Sequence, residues 1–94
     1  MTEDDLTALE RLTGAAQPGP WASHVEGRDH DSGSSFIATG DGTSRGTDIE
    51  LSGATVADQD FIAEARQAVP LLIDEIRALR RLIDESSKSA RGGQ

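Results

Sequence analysis

The chain has 94 residues, a formal net charge of −8 and no cysteine. This length predicts one small domain that buries only ~60% of its unfolded surface, and the lack of cysteine excludes disulfides and thiolate metal sites. Residues 1–60 carry twelve acids against three arginines, a balance of −9, which repels nucleic acid and anionic membranes. We therefore expect no direct nucleic-acid binding, and self-association to complete the thin core.

Residues 2–16 are predicted to form the first helix. Thr2 can cap its N-terminus, with Asp5 in the reciprocal position three residues later. The Pro-Gly-Pro sequence at 18–20 ends it. The apolar face of this helix consists of Leu6, Leu9 and Leu12.

The next part, residues 21–52, has the composition of a β meander. Alternating residues from Trp21 onward, then 35–39 and 48–51, are predicted to be three short strands. The segments 29–34 and 40–46 between them are rich in Asp, Gly and Ser, which favour turns. One face of the resulting antiparallel sheet would be apolar and need cover from a helix.

Residues 55–85 are predicted to be helical, beginning with a capping box of Thr55 and Asp58. Pro70 allows two interpretations: one kinked helix, or a short helix followed by a second one that has Pro70 in its first turn. We favour the second. The prediction is thus an α+β domain over 1–85, with an N-terminal helix, a three-stranded antiparallel sheet and a C-terminal helix pair broken near Pro70. Residues 86–94 are predicted to be a disordered tail.

Large apolar residues recur every three or four positions in this helical segment, which is typical of a helix that buries a seam. A seam this wide in so small a protein predicts contact with another subunit as well as with its own domain. The predicted homo-oligomer interface consists of Val69, Leu72, Ile76, Leu79 and Ile83.

No segment has the residues that catalysis or a cofactor would need. His24 and His30 lie among acids, but a third histidine is lacking and a solvated hairpin explains them. The glycine-rich segment 40–46 lacks the Gly-Lys-Ser/Thr ending of a phosphate loop, and Arg45 stands where a dinucleotide fingerprint needs glycine. No G-x-S-x-G nucleophile motif is present. We therefore expect a protein that is not an enzyme and has no metal or cofactor.

Arg66, Arg77 and Lys88 are eleven residues apart and would share one stripe of a continuous helix. This stripe is either an ordinary solvated face, with Asp74, Asp84 and Glu85 as intrahelical partners, or an anion pocket between subunits. In the second interpretation, Trp21 or the turn containing Arg45 would cap the pocket. The candidate ligand-binding residues are Trp21, Arg45, Arg66, Arg77, Arg80 and Arg81.

The two most distinctive segments resemble a family of small proteins from actinobacterial phages and prophages. One segment is an A-x-PGPW signature, matched by Ala16, Pro18, Gly19, Pro20 and Trp21. The other is a D-x-x-FIA-x-AR-x-x-VP-x-LL-x-EI-x-x-LR helix, matched by Asp58, Phe61, Ile62, Ala63, Ala65, Arg66, Val69, Pro70, Leu71, Leu72, Glu75, Ile76, Leu79 and Arg80. The resemblance implies a phage origin, action in the bacterial host cytoplasm and a role in host takeover or counter-defence. It implies no catalytic residue.

The functional hypothesis is a non-enzymatic phage accessory protein. It would self-associate through its C-terminal helix and sequester a host factor or a small anionic nucleotide that serves as an immune signal. Two alternatives remain: an acidic protein-interaction module that mimics or blocks a nucleic-acid-binding surface, and a virion assembly protein. No export signal or membrane-spanning run is expected from the sequence.

Overall fold

The computed structural model describes residues 1–92. It has two helices, a two-stranded antiparallel sheet and a short 3-10 turn, so the chain is α+β overall. In chain order these are α1 (Glu3–Ala15), β1 (Trp21–His24), β2 (Phe36–Thr39), the 3-10 turn (Gly42–Ser44) and α2 (Val56–Gly92).

Both predicted capping boxes are confirmed. In α1, the backbone N–H of Asp5 donates to Thr2 Oγ1 at 3.1 Å, and the Thr2 N–H donates to Asp5 Oδ2 at 2.8 Å. In α2, the N–H groups of Asp58 and Thr55 make the same reciprocal bonds, each 3.0 Å long. Each box satisfies donors that the first turn leaves without a helical partner.

The sheet is smaller than predicted. Strands β1 and β2 pair antiparallel, with Trp21 opposite Thr39 and His24 opposite Phe36. The predicted third strand at 48–51 is wrong: Ile49 makes one isolated bridge to Ile37, with two 2.8 Å backbone bonds, and the ladder stops there. A single β-branched residue between acidic neighbours and the glycine at 53 does not sustain a strand.

The predicted C-terminal helix pair is also wrong. A single helix, α2, runs from Val56 to Gly92 with Pro70 inside it. The lost hydrogen bond costs ~3 kcal/mol, but Ala63 and Ile73 on either side of Pro70 are both buried in the domain core. Breaking the helix at Pro70 would remove one of these contacts, so packing keeps it continuous.

The helix also continues beyond the predicted domain boundary at residue 85. Residues 86–92 are helical where the sequence predicts a disordered tail, while 93 and 94 lie outside the described residues. Lys88 Nζ lies 3.3 Å from Asp84 Oδ2, one turn earlier, which supports this part of the helix.

The molecule is elongated, because α2 extends well past the rest of the chain. Its radius of gyration is 18.7 Å and its extents are 68 × 27 × 21 Å, whereas a compact domain of this length has a radius near ~13 Å. The 37 residues of α2 span about 55 Å. Within residues 1–92, no helix combines the length and the apolar character needed to cross a membrane.

The small core lies where α1, the sheet and the first half of α2 meet. Helix α1 runs antiparallel to α2, since Glu3 lies beside Arg77 and Gln17 beside Arg66. The buried apolar residues are Leu6, Val25, Ile37, Ala38, Ala63 and Ile73.

Candidate functional site

The face of α2 that packs on the sheet is held by polar side chains. Gln59 is 5% exposed, and its Nε2 donates to Ser23 Oγ, with the carbonyls of Phe36 and His24 also within 3.3 Å. Two turns later, Gln67 makes a reciprocal pair with the backbone of Trp21: the Trp21 N–H donates to Oε1 at 2.8 Å, and Nε2 donates to the Trp21 carbonyl at 3.1 Å. Strand β1 is thus fastened to α2 at both ends.

Trp21 and Arg66, two of the predicted ligand-binding residues, form part of this structural cluster. The Arg66 guanidinium carbon lies 5.9 Å from the centroid of the Trp21 ring, within cation–π range. Arg66 Nε and Trp21 Nε1 both donate to the backbone carbonyl of Gln17, each at 3.1 Å. Both side chains therefore lock the segment after α1 against α2, and this engagement limits their use toward a ligand.

Arg77 and Arg80 join α2 to the N-terminus of α1. Arg77 Nε lies 2.9 Å from Glu3 Oε1, and its Nη1 lies 2.8 Å from Glu10 Oε2. These carboxylates, Glu10 first, raise the pKa of Arg77. Arg80 donates to the carbonyl of Met1 and lies 3.7 Å from Glu3. The partners of Arg77 are therefore on α1, not the intrahelical acids that the sequence suggested.

A shallow groove of about 470 Å³ brings three of the predicted arginines together. It is lined by Glu3, Arg77, Arg80, Arg81 and Asp84. Two carboxylates among three guanidinium groups leave a net charge of only +1, and two of the arginines already pair with Glu3. This lining gives a small anion little net attraction.

The remaining predicted ligand-binding residue, Arg45, lies apart from the others. It follows the 3-10 turn and pairs with Asp48 at 3.1 Å. Within one chain, the six predicted residues thus occupy three places: Trp21 with Arg66, the groove of Arg77, Arg80 and Arg81, and Arg45 alone.

The two histidines flank one phenylalanine. His24 stacks on Phe36 with ring centroids 5.0 Å apart, and His30 lies against the same ring at 5.6 Å. Within the described part of the chain, no group of three or more His, Cys, Asp or Glu side chains is arranged to hold a metal ion.

An ion pair that the sequence did not reveal fastens the loop after β1 to the start of α2. Arg28 forms two parallel bonds to the Asp60 carboxylate, 2.8 and 3.0 Å long, and a third bond to Asp29 at 3.1 Å. The guanidinium lowers the pKa of Asp60 to about 2. Two parallel hydrogen bonds between a guanidinium and a carboxylate form a strong and geometrically specific contact.

The most conspicuous surface of the molecule is apolar and lies on the side of α2 opposite the face that packs on the sheet. Its positions are spaced four and three residues apart, as in a coiled-coil seam. We call this surface the outer stripe: Phe61, Ala65, Ala68, Leu72, Glu75, Leu79, Leu82 and Ser86. Phe61 is 73% exposed, Leu72 58%, Leu79 49% and Leu82 61%.

The predicted interface residues divide between two surfaces. Leu72, Leu79 and Ile83 are exposed on or beside the outer stripe. Val69 and Ile76 instead turn toward α1, where they are half-buried. With Met1, Leu6, Leu9, Leu72 and Ile73 they line an apolar groove of about 230 Å³.

Two open apolar hollows lie along α2, one near each end. The first, about 370 Å³, is lined by Leu51, Ser52, Gly53, Ala54, Asp58, Phe61 and Ile62. The second, about 650 Å³, is lined by Leu79, Leu82, Ile83, Ser86 and Ser87. The apolar surface therefore reaches from the domain to the projecting end of the helix.

Comparison of the chain with protein-family models, with curated proteins and with solved structures finds no match.

Proposed function

We propose that this protein is a non-catalytic interaction protein that self-associates along the outer stripe of α2. The observation that carries the proposal is the orientation of α2. Its polar side chains, such as Gln59 and Gln67, anchor it to the sheet, while most of its large apolar side chains are exposed. A helix that turns apolar residues to solvent over several turns is typical of a helix that packs on a partner.

The exposed area supports a second copy of the chain as that partner. The large side chains of the outer stripe together with Ile83, each about half-exposed or more, present about 600 Å² of surface per chain, at the upper end of what monomers leave open. Pairing two copies would bury about 1,200 Å², which reaches the size of specific protein interfaces. The same surface is then covered on both molecules, as a two-fold dimer requires.

The pairing of the arginines favours a macromolecular partner over a small nucleotide. Arg66 is engaged by the Gln17 carbonyl, Arg77 by two carboxylates and Arg45 by Asp48. A nucleotide would have to displace these partners. Within the counter-defence hypothesis, we therefore place sequestration of a host protein ahead of sequestration of a nucleotide signal.

The acidic domain indicates the chemistry of such a host protein. The balance of −9 in residues 1–60 complements a basic surface and steers its approach. A pull-down from lysate that recovers basic, nucleic-acid-binding proteins would favour the version in which the protein blocks a nucleic-acid-binding surface.

Self-association is tested by measuring molar mass in solution with size-exclusion chromatography and light scattering. The wild-type chain should elute at twice its 9.9 kDa mass. Leu79→Asp and Leu82→Asp should each shift it to the monomer, because they place a charge in the pairing surface. Leu12→Asp is the matched control, since Leu12 is exposed on α1 and the substitution is the same.

Far-UV circular dichroism of each variant would establish that the fold is retained. A wild-type chain that remains at 9.9 kDa up to high micromolar concentration contradicts the proposal. Dissociation by Leu12→Asp as readily as by Leu79→Asp would mean that the outer stripe is not the surface involved.

A further inference from the structure

We infer that two copies pair antiparallel along the outer stripe, with Ala65 of one chain opposite Leu82 of the other and Ala68 opposite Leu79. The inference rests on the proposed function, since it specifies how the self-association is built. It follows from four features: the order of small and large residues in α2, the position of Glu75, the distribution of charge along the molecule, and the two apolar hollows.

The order of small and large residues differs between the two halves of the stripe. The half near the sheet contains Ala65 and Ala68, whereas the projecting half contains Leu79 and Leu82. Antiparallel pairing about a point between residues 73 and 74 places each alanine opposite a leucine, and Phe61 opposite Ser86. Parallel pairing in register would instead place alanine opposite alanine and leave gaps, which are unfavourable in a packed interface.

Glu75 occupies the stripe position between Leu72 and Leu79. In a parallel pair in register, the two Glu75 carboxylates would face each other across the interface, and like charges in such a position are destabilising. In the antiparallel pair, Glu75 lies opposite Leu72 of the second chain, and the two Glu75 residues are offset by about 4.5 Å along the helix axis. Its methylene groups can then cover the leucine while the carboxylate reaches solvent.

The charge distribution favours the same orientation. Residues 1–60 carry a balance of −9, whereas residues 77–88 carry four basic and two acidic residues, a balance of +2. Parallel pairing would bring the two acidic domains to the same end. Antiparallel pairing separates them, which lowers the electrostatic repulsion between the two domains.

The two apolar hollows also meet in the antiparallel arrangement. The hollow beside Phe61 lies at the level of Ser86 of the second chain, within the hollow lined by Leu79, Leu82 and Ile83. The overlap from residue 61 to residue 86 is about 37 Å of helix, so each projecting end would lie along the first half of α2 of the other copy.

The chain contains no cysteine, so single introduced cysteines report the orientation without background. Ala65→Cys and Leu82→Cys are prepared separately, and a third sample is made by mixing them in denaturant and refolding them together. Each is oxidised and analysed for covalent dimer by non-reducing electrophoresis. In the antiparallel pair, the two copies of residue 82 are separated by about 25 Å along the helix, too far for the 4.4–6.8 Å between the Cα atoms of a disulfide.

The expected result is that the mixed sample forms covalent dimer and that each single variant remains uncrosslinked. Crosslinking of Ala65→Cys alone and of Leu82→Cys alone would show parallel pairing and overturn the inference. If the wild-type chain is dimeric by light scattering but none of the three samples crosslinks, the register is wrong while the proposed function stands. A monomeric wild-type chain would overturn the proposed function and this inference together.

Discussion

Replacing Gln59 with leucine removes the polar anchor between α2 and the sheet while keeping a side chain of similar size. Gln59 Nε2 lies 2.9 Å from Ser23 Oγ, 3.2 Å from the Phe36 carbonyl and 3.3 Å from the His24 carbonyl. The side chain is 5% exposed, so water does not replace these bonds in the folded state. Its two hydrogens contribute ~1 kcal/mol each, and leaving a buried acceptor without a donor adds ~1–3 kcal/mol.

We therefore expect Gln59→Leu to lower the free energy of unfolding by about 2–4 kcal/mol, out of ~5–14 kcal/mol for a domain of this length. In urea unfolding followed by circular dichroism, the midpoint should fall by about 1–2 M, given a slope of ~2 kcal/mol/M. Gln59→Glu should be more destabilising at neutral pH, because an ionised carboxylate offers no hydrogen to the three oxygens. All samples must have the same protein concentration, since the proposed self-association would add to the measured stability.

Asp74→Leu is the control for helix propensity, because Asp74 is exposed on the same helix, and its effect should stay within ~0.5 kcal/mol. A loss below ~0.5 kcal/mol for Gln59→Leu would refute the reasoning that polar anchors seat α2 on the sheet. The helix would then be held by its apolar contacts alone.

Two further predictions concern the loops and turns. Arg28 holds the pKa of Asp60 at about 2, below the ordinary value of 3.8, so the stabilisation from this pair is present above about pH 4 and is lost as the pH falls toward 2. Arg28→Ala should flatten that part of the curve of unfolding free energy against pH, and an unchanged curve would contradict the ion pair. Gly46→Ala should lower the free energy of unfolding by ~1–3 kcal/mol, because its Cβ would lie 2.5 Å from Thr39 Oγ1 and 2.6 Å from Gln17 Oε1. Gly14 lies in α1 with open space around it, so Gly14→Ala should raise the free energy of unfolding by ~0.5–1 kcal/mol. Thermal melts of both variants test this difference, and equal shifts in melting temperature would contradict it.

Local signals in the sequence were sufficient for the helix starts and for the first two strands. A capping box needs only two residues three positions apart, so Thr2 with Asp5 and Thr55 with Asp58 could be recognised directly. The third strand could not be judged in this way, because the bridge of Ile49 to Ile37 depends on a partner distant in sequence. The predicted break at Pro70 is wrong for a similar reason: buried contacts on both sides of Pro70 outweigh its local cost.

The interface prediction shows what helical periodicity can and cannot establish. The spacing predicts a single apolar seam, whereas in the structure its residues divide between the outer stripe and the groove beside α1; these residues are Val69, Leu72, Ile76, Leu79 and Ile83. Glutamines at positions 59 and 67 decide the orientation, since both bond the sheet backbone. Their signal was their eight-residue spacing, close to two helical turns, which places them on one face.

Because α2 extends beyond its own domain, the helix content of this protein would depend on its concentration. An isolated helical segment shorter than ~12–15 residues is marginal in water. Arg80 contacts Met1, at the start of the chain, and α2 continues beyond this contact as far as Gly92. Its helical order would then depend on a second copy, so that helix length and protein concentration are thermodynamically linked. In dilute solution the end of α2 would be partly unfolded, and at higher concentration it would be helical and packed on the second copy. Assembly would therefore complete the folding of α2.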